Sequence, residues 1–397
     1  MEASFSLGEW ILLIPIVAGT AYSLLCLLAV WHLGTHHRLL SPGSLSPWPP
    51  VTILKPVSGL EKNLRNNLRS ACLQHYPDYE VVFSVHGSDD PACPLLQGIQ
   101  EEFRDRVAVA VANHPAGPNG KVNNLLGALS HARHDILVIS DSDVRLDPDY
   151  LKTIVAPLAD PRVGFACTLY RATSADRWFE KMELLTLNAD FIPSVIFAYV
   201  TKASKFCLGS SVAFRRSSLK DIGGMEPLAD YLAEDYELGR RLLSSGKKMA
   251  LVPHFVDVVV DLQNLTQWWN HQVCWDQKTR AAQPTGFLAT IVIRSVPFAF
   301  LLAAFRLGDP LGLAILGGVL GIRLATAGII MKWGFRDREG WRSLALLPLR
   351  DIVGLATWVL AITKKTVVWR GSKFTLASGG RLARQESPHE KTHCNGR

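Results

Sequence analysis

Two acidic side chains follow residues 136–140, which are four apolar residues and a serine. Asp141 and Asp143 are separated by a single serine, so their negative charges repel each other unless something offsets them. A divalent cation would offset them, because carboxylate oxygens suit hard cations and phosphate oxygens and water can complete the coordination. An ordinary solvent-exposed turn is the alternative. The spacing thus predicts either a cation site beside a bound diphosphate or an acidic turn.

Lys121 and the pair Glu234-Asp235 are further candidates, each at the start of a predicted helix. Lys121 follows a loop rich in glycine, proline and asparagine, and an amine beside helix N-terminal amides suits a phosphate. The alternative is a solvated lysine in a turn. The helix dipole favours Glu234 and Asp235 for structural reasons alone. A functional interpretation makes Asp235 a general base that deprotonates an attacking hydroxyl.

Strand and helix patterns alternate through the middle of the chain. Strand patterns at residues 51–57, 80–85, 107–113 and 135–140 are separated by helical patterns. This alternation predicts an α/β fold with a mostly parallel sheet and helices on both faces. Ligands of such sheets bind beyond the carboxyl ends of the strands, where Asp89-Asp90 and Asp141/Asp143 both lie. These acids are therefore expected in one crevice.

Two other segments have an open interpretation. Residues 206–216, FCLGSSVAFRR, predict a short strand with a Gly-Ser-Ser turn. This turn either borders a pocket or is a tight turn with no role at a site. Residues 268–280, WWNHQVCWDQKTR, are rich in aromatic and polar side chains and typical of a membrane interface.

The composition indicates a membrane protein. Apolar residues make up 48% of the 397 residues, and residues 10–31 carry no charge and have tryptophan at each edge. This length suffices to cross a bilayer, and the segment lacks the pattern of a cleaved signal peptide. It is predicted to be a retained transmembrane anchor after a short N-terminal segment (residues 1–9). Its flanking charges place the following residues in the cytoplasm.

Three more apolar stretches lie near the end of the chain, at residues 287–305, 311–331 and 343–363. They are interrupted by Arg294, Arg323 and Arg350-Asp351, and such charges usually face a protein interior or a polar cavity. The loop and the tail that flank residues 343–363 are both basic and both favour the cytoplasmic side. One of the stretches, with residues 343–363 as the candidate, is therefore predicted to be re-entrant or interfacial.

The net charge and the cysteines indicate which partners the protein binds and in which redox compartment it resides. The net charge of +7 lies largely in the last third, beside the apolar segments, which favours anionic lipid headgroups. No basic stripe interleaved with aromatics supports nucleic-acid binding. The seven scattered cysteines indicate a reducing compartment without a disulfide framework. The predicted organisation is an anchor (10–31), a Pro/Ser-rich linker (32–50), a catalytic domain (51–282), C-terminal membrane helices (283–365) and a basic polar tail (366–397).

Several motifs in fixed order resemble the ceramide glucosyltransferase family of GT-A glycosyltransferases. They are LKPVSGLEKNLRNNL, DDPA, GPNGKVNNL, DSDVR, AEDYELG and VVWRGSKF, and the similarity covers roughly residues 51–374. The segment RHDILVISDSDVR is similar to bacterial members associated with hopanoid biosynthesis. The resemblance implies a multi-pass membrane enzyme with a cytoplasmic catalytic domain. The implied reaction is inverting transfer of a sugar, glucose or N-acetylglucosamine, from a UDP-sugar to a lipid hydroxyl of ceramide or hopanoid type.

The resemblance also implies roles for individual residues. One carboxylate of Asp89-Asp90 would contact the nucleoside, Lys121 would lie near the diphosphate, and Asp235 would be the base. Asp141 and Asp143 would bind Mg²⁺ or Mn²⁺, with Asp143 the expected direct ligand.

One position departs from the family pattern. His271, Gln272 and Trp275 match the acceptor or diphosphate region, which the resemblance extends to Glu234, but Cys274 stands where an arginine is expected. A thiol cannot replace the charge of a guanidinium. Lys278 or Arg280, about one helical turn further on, is the candidate substitute.

Two rival functions share these motifs. A processive polysaccharide synthase has the same fold and acidic residues but normally needs more membrane spans. A catalytically weakened membrane scaffold is suggested by Cys274, whereas the intact acids argue against it.

Overall fold

The computed structural model describes residues 5–36, 47–112, 115–203, 206–307, 309–364, 366–369 and 372–384. Parts of every predicted segment except the anchor lie outside this range: residues 1–4 of the N-terminal segment, 37–46 of the linker, 113–114 and 204–205 of the catalytic domain, 308 and 365 of the membrane helices, and 370–371 and 385–397 of the tail.

An eight-stranded sheet forms the centre of the molecule, in the order β3-β2-β1-β4-β7-β6-β8-β5. Strands β1 to β4 are mutually parallel where they pair, as predicted, whereas β7 runs antiparallel to both β4 and β6. All residues of β1, β2 and β4 are buried, as expected for strands covered on both faces. The strands are β1 (Val51–Pro56), β2 (Tyr79–Val85), β3 (Val107–Val111), β4 (Ile136–Ser140), β5 (Val144–Arg145), β6 (Val163–Ala172), β7 (Ser211–Arg215) and β8 (Lys248–Val258).

The helices form two groups, one on the sheet and one with the apolar segments. The first is α2 (Leu64–Cys72), α3 (Cys93–Glu102), α4 (Gly120–His131), α5 (Tyr150–Val155), α8 (Arg216–Asp221) and α9 (Glu234–Ser244). The second is α1 (Leu7–His36), α6 (Trp178–Leu185), α7 (Ile192–Val200), α10 (Leu265–Ala282), α11 (Pro284–Ala289), α12 (Ser295–Phe305), α13 (Pro310–Ile329), α14 (Arg338–Ser343) and α15 (Leu347–Thr363).

Among the described residues, four helices are long and apolar enough to cross a membrane: Leu7–Thr35, Trp178–Val200, Pro310–Gly334 and Arg338–Thr363. The pair Pro284–Ile293 and Ser295–Phe305 meets the same criterion as one span but bends by 46° at Arg294. The helix Trp178–Val200 was not predicted from the sequence, because the acids Glu180, Glu183 and Asp190 interrupt its apolar pattern.

Contacts at the helix ends show how the apolar helices are arranged relative to the sheet. The first turn of α1 holds Glu9, which pairs with Arg306 just after α12. The last turns of α1 place Val30 and Leu33 in the same buried cluster as the sheet. Helix α1 therefore leads toward the sheet, and the break between α12 and α13 lies at the opposite end of the helical group.

The segment that contains α14 and α15 contacts other parts of the molecule at both of its ends. Before α14, the carbonyl of Phe335 accepts a hydrogen bond from Arg171 of β6. At its end, the carbonyl of Lys364 accepts a hydrogen bond from Gln277 of α10 (3.2 Å). The segment from Phe335 to Lys364, which contains α14 and α15, thus begins at a strand of the sheet and ends at α10, and the length of Arg338–Thr363 would allow it to cross a membrane.

A small antiparallel sheet closes the described chain, with strands β9 (Thr366–Trp369), β10 (Ser372–Leu376) and β11 (Leu382–Arg384). It packs beside α9, where the amide of Leu232 donates to the carbonyl of Gly380 (3.1 Å). Leu232, Cys274, Val367, Phe374 and Leu382 form one apolar cluster. The C-terminal sheet thus covers the loop that leads to Glu234 and Asp235.

Candidate active site

The turn after β4 is fixed by a buried lysine that the sequence analysis did not select. Lys55 lies in β1 and is fully buried, and its amine donates to the Ser140 hydroxyl (3.1 Å) and to the carbonyls of Asp141 (2.6 Å) and Val144 (3.0 Å). Burial lowers the pKa of Lys55 to about 8, against the opposing charges of Asp143 and Asp141. The one sequence signal for this role was a lysine inside an otherwise apolar strand.

Asp143 has a carboxylate without a bonding partner. Its Oδ1 atom is buried and makes no hydrogen bond with any described residue. Burial raises the pKa of Asp143 to about 7, and the charges of Asp141 and Glu61 act in the same direction. A buried, unpartnered carboxylate oxygen beside a second carboxylate is what a divalent cation would satisfy. The described residues contain no group of three metal-ligating side chains, so the other ligands would come from elsewhere.

Lys121 connects two acidic motifs. It lies in the first turn of α4, which is capped by the side chain of Asn119 accepting from the amide of Val122 (3.1 Å). Its amine lies 2.7 Å from Asp141 Oδ1 and 3.3 Å from Glu234 Oε1. Burial alone would lower the pKa of Lys121, but these two carboxylates outweigh it and raise the pKa. The structure therefore brings together Lys121, the Asp141 turn and the start of α9, as expected of one site.

Asp235 lies against the Gly-Ser-Ser turn at residues 209–211. A Cβ atom at Gly209 would come within 2.5 Å of Asp235 Oδ2, and the carbonyl of Gly209 accepts a hydrogen bond from Lys121 (3.3 Å). The turn thus borders the site, and its glycine is required by the close approach. Burial raises the pKa of Asp235, and the neighbouring charge of Glu234 adds to this. A carboxyl with a raised pKa is a stronger base than a solvated one.

The candidate substitutes for the expected arginine behave differently. Lys278 lies close enough to Glu234 and Asp235 that their charges raise its pKa, although burial alone would lower it. Arg280 instead donates to the carbonyl of Ile362 at the end of α15 (2.7 Å). Cys274 packs in the apolar cluster under the C-terminal sheet. Of the two cations, Lys278 is therefore the one next to the acids.

His271, Gln272 and Trp275 lie on α10 beside α6 and the segment that joins α6 to α7. His271 Nδ1 is 3.0 Å from Glu183 Oε1, and Gln272 donates to Glu183 Oε2 (2.5 Å). Burial alone would lower the pKa of His271, but the Glu183 carboxylate outweighs it and raises the pKa. The rings of Trp275 and Phe191 meet edge to face at 5.2 Å.

Tyr170 is a second residue that the sequence analysis missed. It is buried in β6, and burial together with the charges of Asp235, Asp141 and Asp143 raises the pKa of its hydroxyl. Its ring lies 5.8 Å from Phe191. Tyr170 therefore stands between the acids and the aromatic side chains next to α10.

Asp89 and Asp90 lie at the same edge of the sheet, after β2. The carboxylate of Asp90 accepts hydrogen bonds from the amides of Gly59 (3.0 Å) and Ala92 (2.9 Å), so it joins the loops after β1 and β2. Asp89 is exposed. The structure places neither in contact with Lys121 or Asp141, and their role in binding a nucleoside stays a prediction.

The fold and these convergent acids define a nucleotide-sugar glycosyltransferase of the GT-A type. The chain belongs to glycosyl transferase family 21, whose family model matches residues 11–382. It is 26% identical over 373 residues to ceramide glucosyltransferase 1 of Caenorhabditis elegans, covering 87% of this chain and 75% of that protein. It is 24% identical over 380 residues to ceramide glucosyltransferase 3 of the same organism, covering 87% and 76%.

A solved structure supports the fold. The mannosyltransferase PcManGT from Pyrobaculum calidifontis, in complex with GDP-Man and Mn²⁺, has a TM-score of 0.50 and 20% identity, covering 88% of this chain and 99% of that one. At this identity the similarity concerns the fold alone.

Proposed function

We propose that this enzyme transfers one hexose, glucose or N-acetylglucosamine, from a UDP-sugar to the hydroxyl of a membrane lipid of ceramide or hopanoid type, with inversion at the anomeric carbon. The observation that carries this proposal is the convergence of Asp143, Asp141, Lys121 and Asp235 at one edge of the sheet. The names of the relatives in Caenorhabditis elegans support a glucosyl donor and a ceramide-like acceptor.

The donor would bind beyond the carboxyl ends of β1, β2 and β4. Asp143 and Asp141 would hold Mg²⁺ or Mn²⁺, which neutralises negative charge on a diphosphate when bound. The amine of Lys121 is placed to form a charge-assisted hydrogen bond with a phosphate oxygen, once it is drawn from its carboxylate partners. Lys278 adds a second positive charge, at the acidic start of α9.

Asp235 would act as the general base. Its carboxylate removes the proton of the lipid hydroxyl while the hydroxyl oxygen attacks the anomeric carbon from the face opposite UDP, and the bond from that carbon to the diphosphate oxygen breaks so that UDP leaves. The raised pKa suits this role, and the close approach of Gly209 fixes the carboxylate in position. One displacement by one base inverts the configuration of the sugar.

The arrangement of the helices supports a catalytic domain on the cytoplasmic side. The loop at Phe335 and the tail at Gly380 both contact the sheet domain, and both segments are basic. Basic loops prefer the cytoplasmic side. In this proposal α15 lies along the domain, and so does the helix Trp178–Val200, which begins after β6 and ends before β7 of the same sheet. Three crossings then remain: α1, the bent pair α11–α12, and α13. This topology keeps the loop, the tail and the catalytic domain together, as the basic segments require.

The test uses membranes that carry the enzyme, with Mn²⁺ or Mg²⁺ and a panel of UDP-sugars crossed with ceramide and a hopanoid polyol. Mass spectrometry detects the product, and NMR gives its anomeric configuration. Asp235→Asn is expected to lower kcat by about 100- to 10,000-fold without changing the donor KM. Asp230→Asn, an exposed acid just before α9, is the matched control.

Each outcome decides a separate part of the proposal. A product with one inverted sugar supports the reaction and identifies donor and acceptor. A polymer would instead identify a processive synthase. Retention of configuration would remove Asp235 as a simple base. The absence of any glycolipid, or full activity of Asp235→Asn, would overturn the proposal.

A further inference from the structure

A cavity of about 230 Å³ lies among the apolar helices, on the far side of α10 from Lys278 and Cys274. It differs from an apolar lipid groove because charged side chains line it. The helices α1, α10, α12, α13 and α15, with the segment that joins α6 and α7, all contribute to its wall. Its charged lining residues are Asp190, Asp276, Arg294, Arg323, Arg350 and Asp351.

Two of the arginines are satisfied within the wall. Arg323 pairs with Asp351 (2.9 Å), and Arg350 pairs with Asp190 (2.8 Å) and Asp351 (3.1 Å). Arg350 also donates to the hydroxyl of Thr186 (3.1 Å). These ion pairs hold the wall in one geometry, because each buried charge needs its partner.

Arg294 is the arginine that remains. Its Nε atom is buried and makes no hydrogen bond with the described residues, which likewise offer it no ion pair within 4.0 Å. A buried guanidinium hydrogen without an acceptor is costly and indicates a missing oxygen partner. Asp276 lines the same cavity.

The backbone around Arg294 makes room for its side chain. Arg294 lies at the 46° break between α11 and α12. A Cβ atom at Gly354 of α15 would come within 2.9 Å of Arg294 Nη1, and one at Gly19 of α1 would come within 2.5 Å of the carbonyl of Ile293. Two glycines on two different helices therefore allow the broken helix and its guanidinium to fit here.

Aromatic side chains lie between this cavity and the catalytic acids. Trp275 and Phe191 line the cavity, and Phe191 in turn contacts Tyr170, whose hydroxyl lies near Asp235, Asp141 and Asp143. A polar group held in the cavity is thus next to the wall of the active site.

We propose that this cavity binds the polar head of the lipid acceptor, with Arg294 donating a hydrogen bond to one of its oxygen atoms. The inference rests on the proposed function for the identity of the lipid. An oxygen acceptor could also come from an anionic phospholipid. The cavity favours a neutral head, because the three arginines and three aspartates that line it give no net charge.

The first test measures acceptor kinetics. Arg294→Gln is expected to raise the KM for short-chain ceramide by about tenfold or more, and to leave the KM for the UDP-sugar unchanged. Gly354→Ala, which places a methyl group against the guanidinium, is expected to act in the same direction. Gly318→Ala is the matched control, because a Cβ atom there meets nothing within 4 Å in α13. An increase in donor KM alone, or a control equal to Arg294→Gln, would overturn the assignment.

The second test is independent of turnover. A photoreactive ceramide, a photoreactive hopanoid polyol and a photoreactive phosphatidylglycerol are cross-linked to the full-length protein in nanodiscs, and the labelled peptides are mapped. Labelling of α10 or α12 by a neutral probe, and its loss in Arg294→Gln, supports the inference even if no transfer is observed. Labelling by phosphatidylglycerol alone identifies a phospholipid site and contradicts it. Transfer activity without any labelling at these helices supports the proposed function but overturns the acceptor site.

Discussion

The catalytic crevice and the cavity among the apolar helices both contain buried charges, but the charges are arranged in opposite ways. In the crevice, Asp143 has a buried oxygen without a partner and a raised pKa. In the cavity, Asp351 is held by both Arg323 and Arg350. The crevice therefore leaves a carboxylate oxygen unsatisfied, whereas the charges that line the cavity sum to zero and only Arg294 lacks an acceptor among the described residues.

This difference indicates what each region binds. In the proposed function the unpartnered carboxylate of Asp143 binds a metal with its diphosphate, and it costs stability until the metal arrives. Matched ion pairs stabilise a fixed shape into which a neutral polar group can enter. The ion pairs of the cavity are expected to stabilise the fold, and the acids of the crevice are expected to bind ligands. These two roles can be tested separately.

The largest effect is expected from Asp143→Asn. Loss of this carboxylate removes the proposed metal ligand and should lower activity at saturating metal by at least about 100-fold. The same change should raise the thermal stability of metal-free protein, because it removes an unpartnered buried charge. Activity assays with titrated Mn²⁺ and thermal unfolding in EDTA measure the two effects. If Asp143→Asn instead destabilised the metal-free protein, Asp143 would not be an unpartnered charge, and the crevice and the cavity would not differ in this respect.

Asp351→Asn should have the opposite profile. It leaves the Arg323 and Arg350 charges without their shared partner and should destabilise the protein by about 3–5 kcal/mol. Denaturant or thermal unfolding in detergent measures this change. Asp309→Asn, an acid paired with Arg306 at the far end of the helices, provides a control for loss of a more exposed ion pair. Equal stability of the two variants would refute the structural role of the cavity charges.

Gly209→Ala should reduce activity by about tenfold or more while leaving the fold intact. A methyl group at this position displaces the Asp235 carboxylate, and small displacements of catalytic groups are costly. Gly98→Ala on α3 is the control, because a Cβ atom there has open space. Single-turnover kinetics would show the loss in the chemical step. A loss confined to stability would assign the glycine to folding only.

The smallest expected effect is a shift in the pH profile of Glu234→Gln. The charge of Glu234 raises the pKa of Asp235, so its removal lowers that pKa. A base works when deprotonated, and activity falls as the pH drops through its pKa. The acidic limb of kcat should therefore move to lower pH. The exposed Glu226→Gln is the control, and an unchanged limb would argue against Asp235 as the titrating base.

Much of the fold was predictable because its signals are local. The alternation of strands and helices over residues 51–140 is visible in the periodicity of the side chains. The acids after β4 were selected because they directly follow a predicted strand. The GT-A fold and the family that the motifs implied are confirmed. The helix Trp178–Val200 was missed because its charges are satisfied only by tertiary partners, such as Glu183 with His271 and Asp190 with Arg350.

The site residues that were missed share a different cause. Lys55 and Tyr170 come from strands far apart in sequence, and only the strand register brings them to the acids. Lys278 and Arg280 were both candidates to replace the expected arginine. Choosing between them required knowing where each side chain points, which spacing along one helix does not give. The sequence shows only that Cys274 stands where an arginine is expected. The structure adds that this side chain is packed under the C-terminal sheet.

The first helix has a consequence for how the enzyme can be produced and engineered. Its end packs into the core of the sheet domain, Tyr22 and Cys26 form part of the cavity wall, and Gly19 accommodates the break at Arg294. An anchor that served only as a tether could be deleted or exchanged for any apolar helix. Here α1 is a component of the folded enzyme, so a soluble truncation would discard part of the wall that shapes the cavity.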